Sequence, residues 1–299
     1  MSTGAIARRT LAVDGLQTSY LEAGPNEGEP VVLLHGGEFG ASAGLAWERI
    51  IPLLAARHRV LAPDQLGYGH TAKVHDFTDG RALRTRHVAR FCELLGIGSA
   101  CFAGNSMGAL NLLADATSGR PLLPASRIAL LCGGGEIQDN EHMAALRDYD
   151  GSLAAMRRVV TALFAGPAYA DDEGYVRRRH ASSLLPGAWE AVAAARFRRP
   201  GTAGDPPADP PAASSADNSN KPPAADLIPS RPYHRITVPL LAVEGGSDKL
   251  LPPGWAKQLA AQVPDGTAAI VGDAGHCPQI ERPEETARLL LDFYAADVH

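Results

Sequence analysis

The stretch Ala100-Cys101-Phe102-Ala103-Gly104-Asn105-Ser106-Met107-Gly108-Ala109-Leu110 sets the tightest condition on the fold of this chain. An apolar run ends in Gly104-x-Ser106-x-Gly108 and a helical run starts at once. A strand must therefore turn sharply into a helix, holding one serine hydroxyl above a sheet. Such a turn is strained, and the two glycines answer the strain, because a side chain on either would crowd the backbone or the arriving helix. Alone the pentapeptide is a weak signal, since Gly and Ser are common loop residues and a Ser here can also act as a plain helix N-cap. Its weight depends on what the rest of the chain supplies.

With 299 residues, 45% of them hydrophobic, the chain can bury one large core, or a core and a small second domain. A net charge of -5 leaves no electrostatic footprint for nucleic acid or for an anionic membrane. Cys92, Cys101, Cys132 and Cys277 lack metal-type spacing, and three of them sit in apolar runs, so reduced buried thiols are expected and no disulfide. Arg8 and Arg9 are not followed by an apolar segment long enough for a signal peptide, and no apolar span reaches transmembrane length. The expected location is cytoplasmic.

Taken in order, Leu11 to Ala23 reads as strands around an Asp14-Gly15 hairpin turn. Val31 to Leu34 is a buried strand that runs into His35-Gly36-Gly37-Glu38-Phe39-Gly40, where glycines let the backbone approach a ligand with free amides; a plain strand-to-helix turn is the alternative. Leu45 to Arg57 has helical periodicity and Arg59 to Ala62 is a strand. In the Pro63-to-Thr71 turn that follows, Asp64 is expected to bond backbone amides. Asp79 to Leu95 is a helix on which His87, like His75 before it, faces solvent. After the elbow comes the strand Arg127 to Cys132. This alternation of strands and helices predicts an α/β fold with a mostly parallel sheet covered by helices on both faces over residues 1–137 and 233–299.

The alternation stops over 138–199, which reads as helices at Glu141 to Leu146, Ser152 to Phe164, Asp171 to Ser183 and Ala188 to Phe197. We take this as a helical cap inserted between strands. Its nine Arg stand against eight Asp and Glu, so it is no basic patch. Residues 200–232 hold nine of the 23 prolines with Ala, Ser, Asp and Asn between them, and read as a disordered or extended linker. Strands resume at Val238 to Val243 and Ala268 to Val271, with helices at Trp255 to Val263 and Pro283 to Tyr294.

A serine hydroxyl is a poor nucleophile at neutral pH and needs a base, itself oriented by a third group. His276 follows the last strand and Asp248 the strand before it, so both belong at the carboxyl ends of strands, the edge where Ser106 emerges. Each has a plain reading, as loop histidine or turn-former, but the order Ser, Asp, His with each residue after a strand is that of the α/β-hydrolases. Glu136 and Asp273 are rivals for the acid; Asp273 is the better fit for a local cap. The oxyanion donors would be the amides of Met107 and Gly37.

On these features the chain resembles the α/β-hydrolase superfamily over about 31–137 and 236–295. Within it the chain resembles the meta-cleavage product hydrolases, carbon–carbon bond hydrolases of bacterial aromatic degradation. The resemblance rests on Gly104-Asn105-Ser106-Met107-Gly108, His35-Gly36-Gly37 with Gly40, Pro63-Asp64-x-x-Gly67-x-Gly69-x-Thr71, and Arg179-x-x-x-Ser183-x-x-Pro186-Gly187 in the cap. It implies a vinylogous 1,5-diketone acid as substrate. His276 would assist tautomerisation, Ser106 would attack or activate water, and Arg179 would bind the substrate carboxylate; a solvated helix arginine is the alternative for Arg179. Asn105, Gly36 and Cys277 would also line the substrate. No metal and no cofactor is implied; the partner is a small molecule, and a homo-oligomer is left open. The chain departs from the family where Glu38-Phe39 replaces a small residue and Pro, where Ala46 beside Trp47 replaces an Asn, where Cys277 replaces a Trp, and in its Pro-rich insert. An esterase or lactonase shares every catalytic residue with this reading, and a non-catalytic binding protein on the same fold is the third possibility.

Overall fold

The computed structural model describes residues 5–196 and 227–296. Its sheet is built from β1 (Ala7–Val13), β2 (Leu16–Ala23), β3 (Pro30–Leu34), β4 (Arg59–Pro63), β5 (Ala100–Asn105), β6 (Ala125–Leu131), β7 (Leu240–Gly245) and β8 (Gly266–Val271). β1 and β2 form the expected hairpin, with Asp14 and Gly15 at φ of 50° and 81°, the backbone that a tight two-residue turn demands. The strand order is β1-β2-β4-β3-β5-β6-β7-β8; β2 is antiparallel to its two neighbours and the remaining pairs are parallel. The chain thus leaves β3 for β4 on one side and comes back to β5 on the other. Strand order reverses between β3 and β5, which opens a crevice beyond their carboxyl ends.

The helices on the sheet are α1 (Ala43–Trp47), α2 (Ile51–Leu54), α3 (Gly80–Leu94) and α4 (Met107–Ala116). Between β6 and β7 the cap contributes α5 (Glu141–Arg147), α6 (Leu153–Leu163), α7 (Ala168–Asp171), α8 (Glu173–Ser183) and α9 (Ala188–Ala193); α10 (Trp255–Ala260), α11 (Pro278–Glu281) and α12 (Pro283–Ala295) complete the chain. Because successive strand residues point to opposite faces, Val31, Leu33, Cys101, Ala103, Ala129 and Leu131 pack under α1, α2 and α12. Val32, Leu34, Phe102, Ile128 and Leu130 pack under α3, α4 and α10. Burial on both faces is why these strands read as unbroken apolar runs. The cap has an apolar cluster of its own, around Met156, Val159, Val160, Leu163 and Val176, into which the core sends Phe39, Cys277 and Ile280.

Several expectations are corrected in detail. The helix expected over Leu45 to Arg57 is two helices, α1 and α2, because Pro52 lacks an amide hydrogen and its ring opposes the carbonyl four residues back. His87 is buried rather than solvent-facing; its Nε2 lies 2.9 Å from Thr18 Oγ1, and burial pushes its pKa down to about 4. Asp64 holds the amides of Ala43 and His70 at 2.7 and 2.9 Å, as its turn predicted. Most of the 200–232 linker lies outside the described residues. Residues 227–232 are described and are packed: Ile228 is buried in the core and Tyr233 Oη donates to the Pro229 carbonyl at 2.7 Å. All four cysteines are buried free thiols. Among the described residues no helix is long and apolar enough to cross a membrane.

The elbow depends on missing side chains. A Cβ on Gly108 would fall on the backbone of Leu34, and one on Gly104 would lie 2.5 Å from the Ala109 nitrogen. Gly98, in contrast, has open space around it. Gly108→Ala is therefore expected to lower the urea unfolding free energy by about 1–3 kcal/mol or more, the usual range for overpacking, and Gly98→Ala to leave it within about 0.5 kcal/mol.

Candidate active site

Ser106 sits between β5 and α4 at φ 51° and ψ -115°, a left-handed backbone that costs a non-glycine residue about 1–3 kcal/mol. The surroundings impose it. The Ser106 amide donates to the Leu131 carbonyl at 3.0 Å, and a Cβ on Gly133 would press to 2.6 Å from the Ser106 carbonyl oxygen. The serine makes no side-chain bond to the start of α4, so it does not act as an N-cap, and its position is partly open to solvent.

His276 follows β8 and Asp248 follows β7, both at the sheet edge that carries Ser106. Their side chains are 5% and 3% exposed, and His276 Nδ1 lies 2.9 Å from Asp248 Oδ2. The other carboxylate oxygen accepts from the Leu250 amide at 2.8 Å, so Asp248 is held from both sides. Burial alone disfavours an imidazolium. The charge and hydrogen bond of Asp248, with the charge of Glu38 behind them, outweigh burial and hold the His276 pKa above the ordinary 6.5. The rival acids are elsewhere: Glu136 is exposed, and the exposed Asp273 pairs with Arg282 at 3.4 Å.

Asn105 joins these parts. Its Nδ2 donates to the carbonyls of Leu131 at 3.1 Å and of His276 at 2.9 Å, so the residue before Ser106 is bonded to the backbone that carries the imidazole. Both amide hydrogens are thereby taken, which makes Asn105 a brace for the His276 loop. The Cys277 thiol, 3.9 Å from Asn105 Oδ1, completes the brace, and burial keeps it protonated.

The loop after β3 is equally fixed. His35 accepts the Gln65 amide at Nε2 (2.9 Å), which assigns its proton to Nδ1, 2.7 Å from the Gly36 carbonyl. Burial lowers the His35 pKa, so this imidazole stays neutral. Gly37 lies against Met107, where a Cβ would be 2.9 Å from the Met107 Cβ, and Tyr68 Oη donates to the Gly37 carbonyl at 2.9 Å. The two residues expected to supply oxyanion donors are thus neighbours. Gly36 is covered by the Glu38 carboxylate.

Arg179, on α8, is 1% exposed, so it is no solvated helix arginine. Its Nη2 donates to Glu38 Oε1, and its Nη1 lies 3.4 Å from Tyr175 Oη. Burial on its own raises the Glu38 carboxyl pKa and lowers that of Arg179. Their mutual attraction outweighs burial in both, keeping Glu38 below the ordinary carboxylate value and Arg179 above the ordinary guanidinium one.

Two positioning residues escaped the sequence reading. Glu281 accepts from the Gly275 amide at 2.6 Å and the Ala165 amide at 2.9 Å, and Lys249 Nζ donates to the Thr161 and Phe164 carbonyls at 2.9 and 2.7 Å. They tie the His276 and Asp248 loops to the end of α6. Only the i+3 spacing of Glu281 from a helix-opening Pro hinted at a capping role. Cys132, at φ 46°, brings its thiol within 4.8 Å of ligand atoms of Asp248 and His276, a donor set a soft cation could use. Each atom has another use: the thiol donates to the Gly275 carbonyl at 3.6 Å, and the two others bond each other.

The model of the alpha/beta hydrolase family matches residues 31–289. The chain is 29% identical to a 2-hydroxy-6-oxo-6-(2'-aminophenyl)hexa-2,4-dienoic acid hydrolase of Metapseudomonas resinovorans, over 98% of this chain and 92% of that one. It is 28% identical to a 2-hydroxymuconate semialdehyde hydrolase of Pseudomonas sp. (strain CF600), over 96% and 93%. Among solved structures it is similar to a serine hydrolase involved in carbazole degradation, with a TM-score of 0.74, 27% identity, and 97% and 99% of the two chains covered. A 2-hydroxy-6-oxo-6-phenylhexa-2,4-dienoate hydrolase from Rhodococcus sp. strain RHA1, at 21% identity and a TM-score of 0.79 over 98% and 100%, shares the fold. With its strained elbow, its reversed strand order and its cap, this chain belongs to the alpha/beta hydrolase family and resembles the meta-cleavage product hydrolases within it.

Proposed function

We propose that the chain is a serine hydrolase in which Ser106, His276 and Asp248 act as one unit on a carbon–carbon bond beside a ketone, in a small vinylogous diketone of the meta-cleavage type. The observation that carries this reading is the buried hydrogen bond between His276 and Asp248, on a loop that Asn105 bonds to the residue next to Ser106. Asp248 fixes the imidazole with its proton on Nδ1, which leaves Nε2 as the basic nitrogen. That nitrogen takes the proton of the Ser106 hydroxyl as the ketone carbon is attacked, or of a water that the serine delivers. The negative charge that forms on the ketone oxygen is met by the amides of Met107 and Gly37, fixed in place before the reaction. When the carbon–carbon bond breaks, the electron pair left on the departing carbon is delocalised into the neighbouring carbonyl. His276 then returns its proton to that carbon, and where the serine itself attacked, a water deprotonated by His276 hydrolyses the acyl-serine and restores the hydroxyl.

A second reading is cleavage of an ester or lactone by the same residues. What favours it is the Glu38 carboxylate on Arg179, the group expected to bind a substrate carboxylate. An acyl-oxygen bond requires no acid group on the substrate.

Three outcomes follow for either scissile bond. Ser106→Ala should lower kcat by about 10³-fold or more on both a dienone ring-fission product and a p-nitrophenyl ester, measured by stopped-flow absorbance. The rate should fall as pH drops through a value above 6.5, because a raised imidazole pKa keeps His276 protonated, and so inactive as a base, to higher pH. In Asp248→Asn the kinetic pKa should move down and kcat should drop by on the order of 10⁴-fold. A pH profile unchanged by that substitution would remove Asp248 from the assignment.

A further inference from the structure

We propose that Glu38 supplies, from within the protein, the carboxylate that Arg179 would otherwise take from a ligand, so that the site selects substrates uncharged at the Arg179 end. This deepens the hydrolase reading, makes its diketone substrate one without the carboxylate carried by the acid in the relative's name, and rests on that reading for the identity of the reacting centre.

Glu38 lies two residues past Gly36 in the loop that approaches the elbow, and its carboxylate folds back over the Gly36 Cα. It is anchored on both sides. Phe39 inserts into the cap 4.8 Å from the Tyr149 ring, and Gly40, at φ 77°, brings the loop so close to α8 that a Cβ there would strike the Arg179 carbonyl. The pair is therefore set between two packed elements and is not a chance meeting of long side chains.

The groups facing Glu38 are Arg179 and Tyr175 from α8, His276 and Cys277 from the loop after β8, and His35 from its own loop. Of these five, only Arg179 carries a permanent positive charge, and Asp248 stands behind His276. With Glu38 ionised the Arg179 end is neutral. A ligand carboxylate would put two anions on one desolvated guanidinium, so that either Glu38 leaves the pair or one of the two acids takes up a proton. A carbonyl or hydroxyl oxygen adds no charge. Arg179 still has something to offer it: among the described residues its buried Nε has no acceptor.

Glu38 could instead be a strut between loop and cap, with no say in selectivity. The two roles separate in a ratio. Binding of 2,4-hexadienoate and of 2,4-hexadienamide to the full-length chain, followed by tryptophan fluorescence at pH 8, gives the preference for acid over neutral ligand. Wild type should bind the amide at least about tenfold more tightly. Glu38→Gly should move the ratio of dissociation constants toward the acid by about tenfold or more, and Glu38→Gln, which keeps the shape but not the charge, should move it the same way. A strut would lower thermal stability in both variants and leave the ratio where it was. The proposal is overturned by that result, by equal or tighter binding of the acid to wild type, or by binding of neither ligand. Turnover of a p-nitrophenyl ester by the same wild type, with Ser106→Ala inactive, reports separately on the hydrolase reading.

Discussion

The site depends on how closely two backbones can approach where the sheet reverses its strand order. Between β3 and β5 the chain must lay the His35 loop and the Ser106 elbow side by side, and Gly104, Gly108 and Gly133 are the positions where a single methyl group would meet main-chain atoms. Everything chemical follows from that contact. Ser106 can be held at positive φ only because the strand before it and the helix after it are pinned, and Met107 can lie against Gly37 only because α4 starts where it does. The hydrogen bond from Asn105 to the His276 carbonyl then brings the third strand end into register with the first two.

Charge organises the next shell. His276 and Asp248 share one buried hydrogen bond, Arg179 and Glu38 a second buried contact, and Glu38 also acts on His276 through space. Because these groups are desolvated, the Glu38 carboxylate feels the charges of both Arg179 and His276. This couples the loop after β3, the cap helix α8 and the loop after β8 into one electrostatic unit. Hydrogen bonds from Glu281 and Lys249 to backbone groups at the end of α6 tie the loops after β8 and β7 to the cap as well. The cap is thus joined to the core by residues that neighbour His276 and Asp248.

Much of this could be read from the sequence, and the reason is physical. Strands buried on both faces must be apolar, a strand-to-helix elbow must have glycines, and residues that follow parallel strands must meet at one edge; these rules act over short stretches and leave local marks. Ser106, Asp248 and His276 stood out as candidates for that reason, and the structure bonds the last two to each other. What stayed hidden depends on pairing across distance. Glu38 and Arg179 stand 141 positions apart, and nothing local to either says that they meet. The partners of Asn105 are carbonyls 26 and 171 residues away, and nothing in its own stretch announces them. His87 looked like a surface histidine because its burial is decided by the hairpin packed over α3, not by its neighbours in sequence. Composition alone could not reveal that the end of the Pro-rich stretch returns to the core through Ile228.

At the centre of the account is the transfer of a proton from the Ser106 hydroxyl to His276. The most direct test is to treat the folded chain with a fluorophosphonate and to map the adduct by mass spectrometry. The account predicts one adduct per chain, on the peptide that carries Ser106, with labelling lost in His276→Asn. Absence of the adduct at any pH between 6 and 9 in folded protein, or labelling at Ser106 that is indifferent to loss of the imidazole, would contradict it.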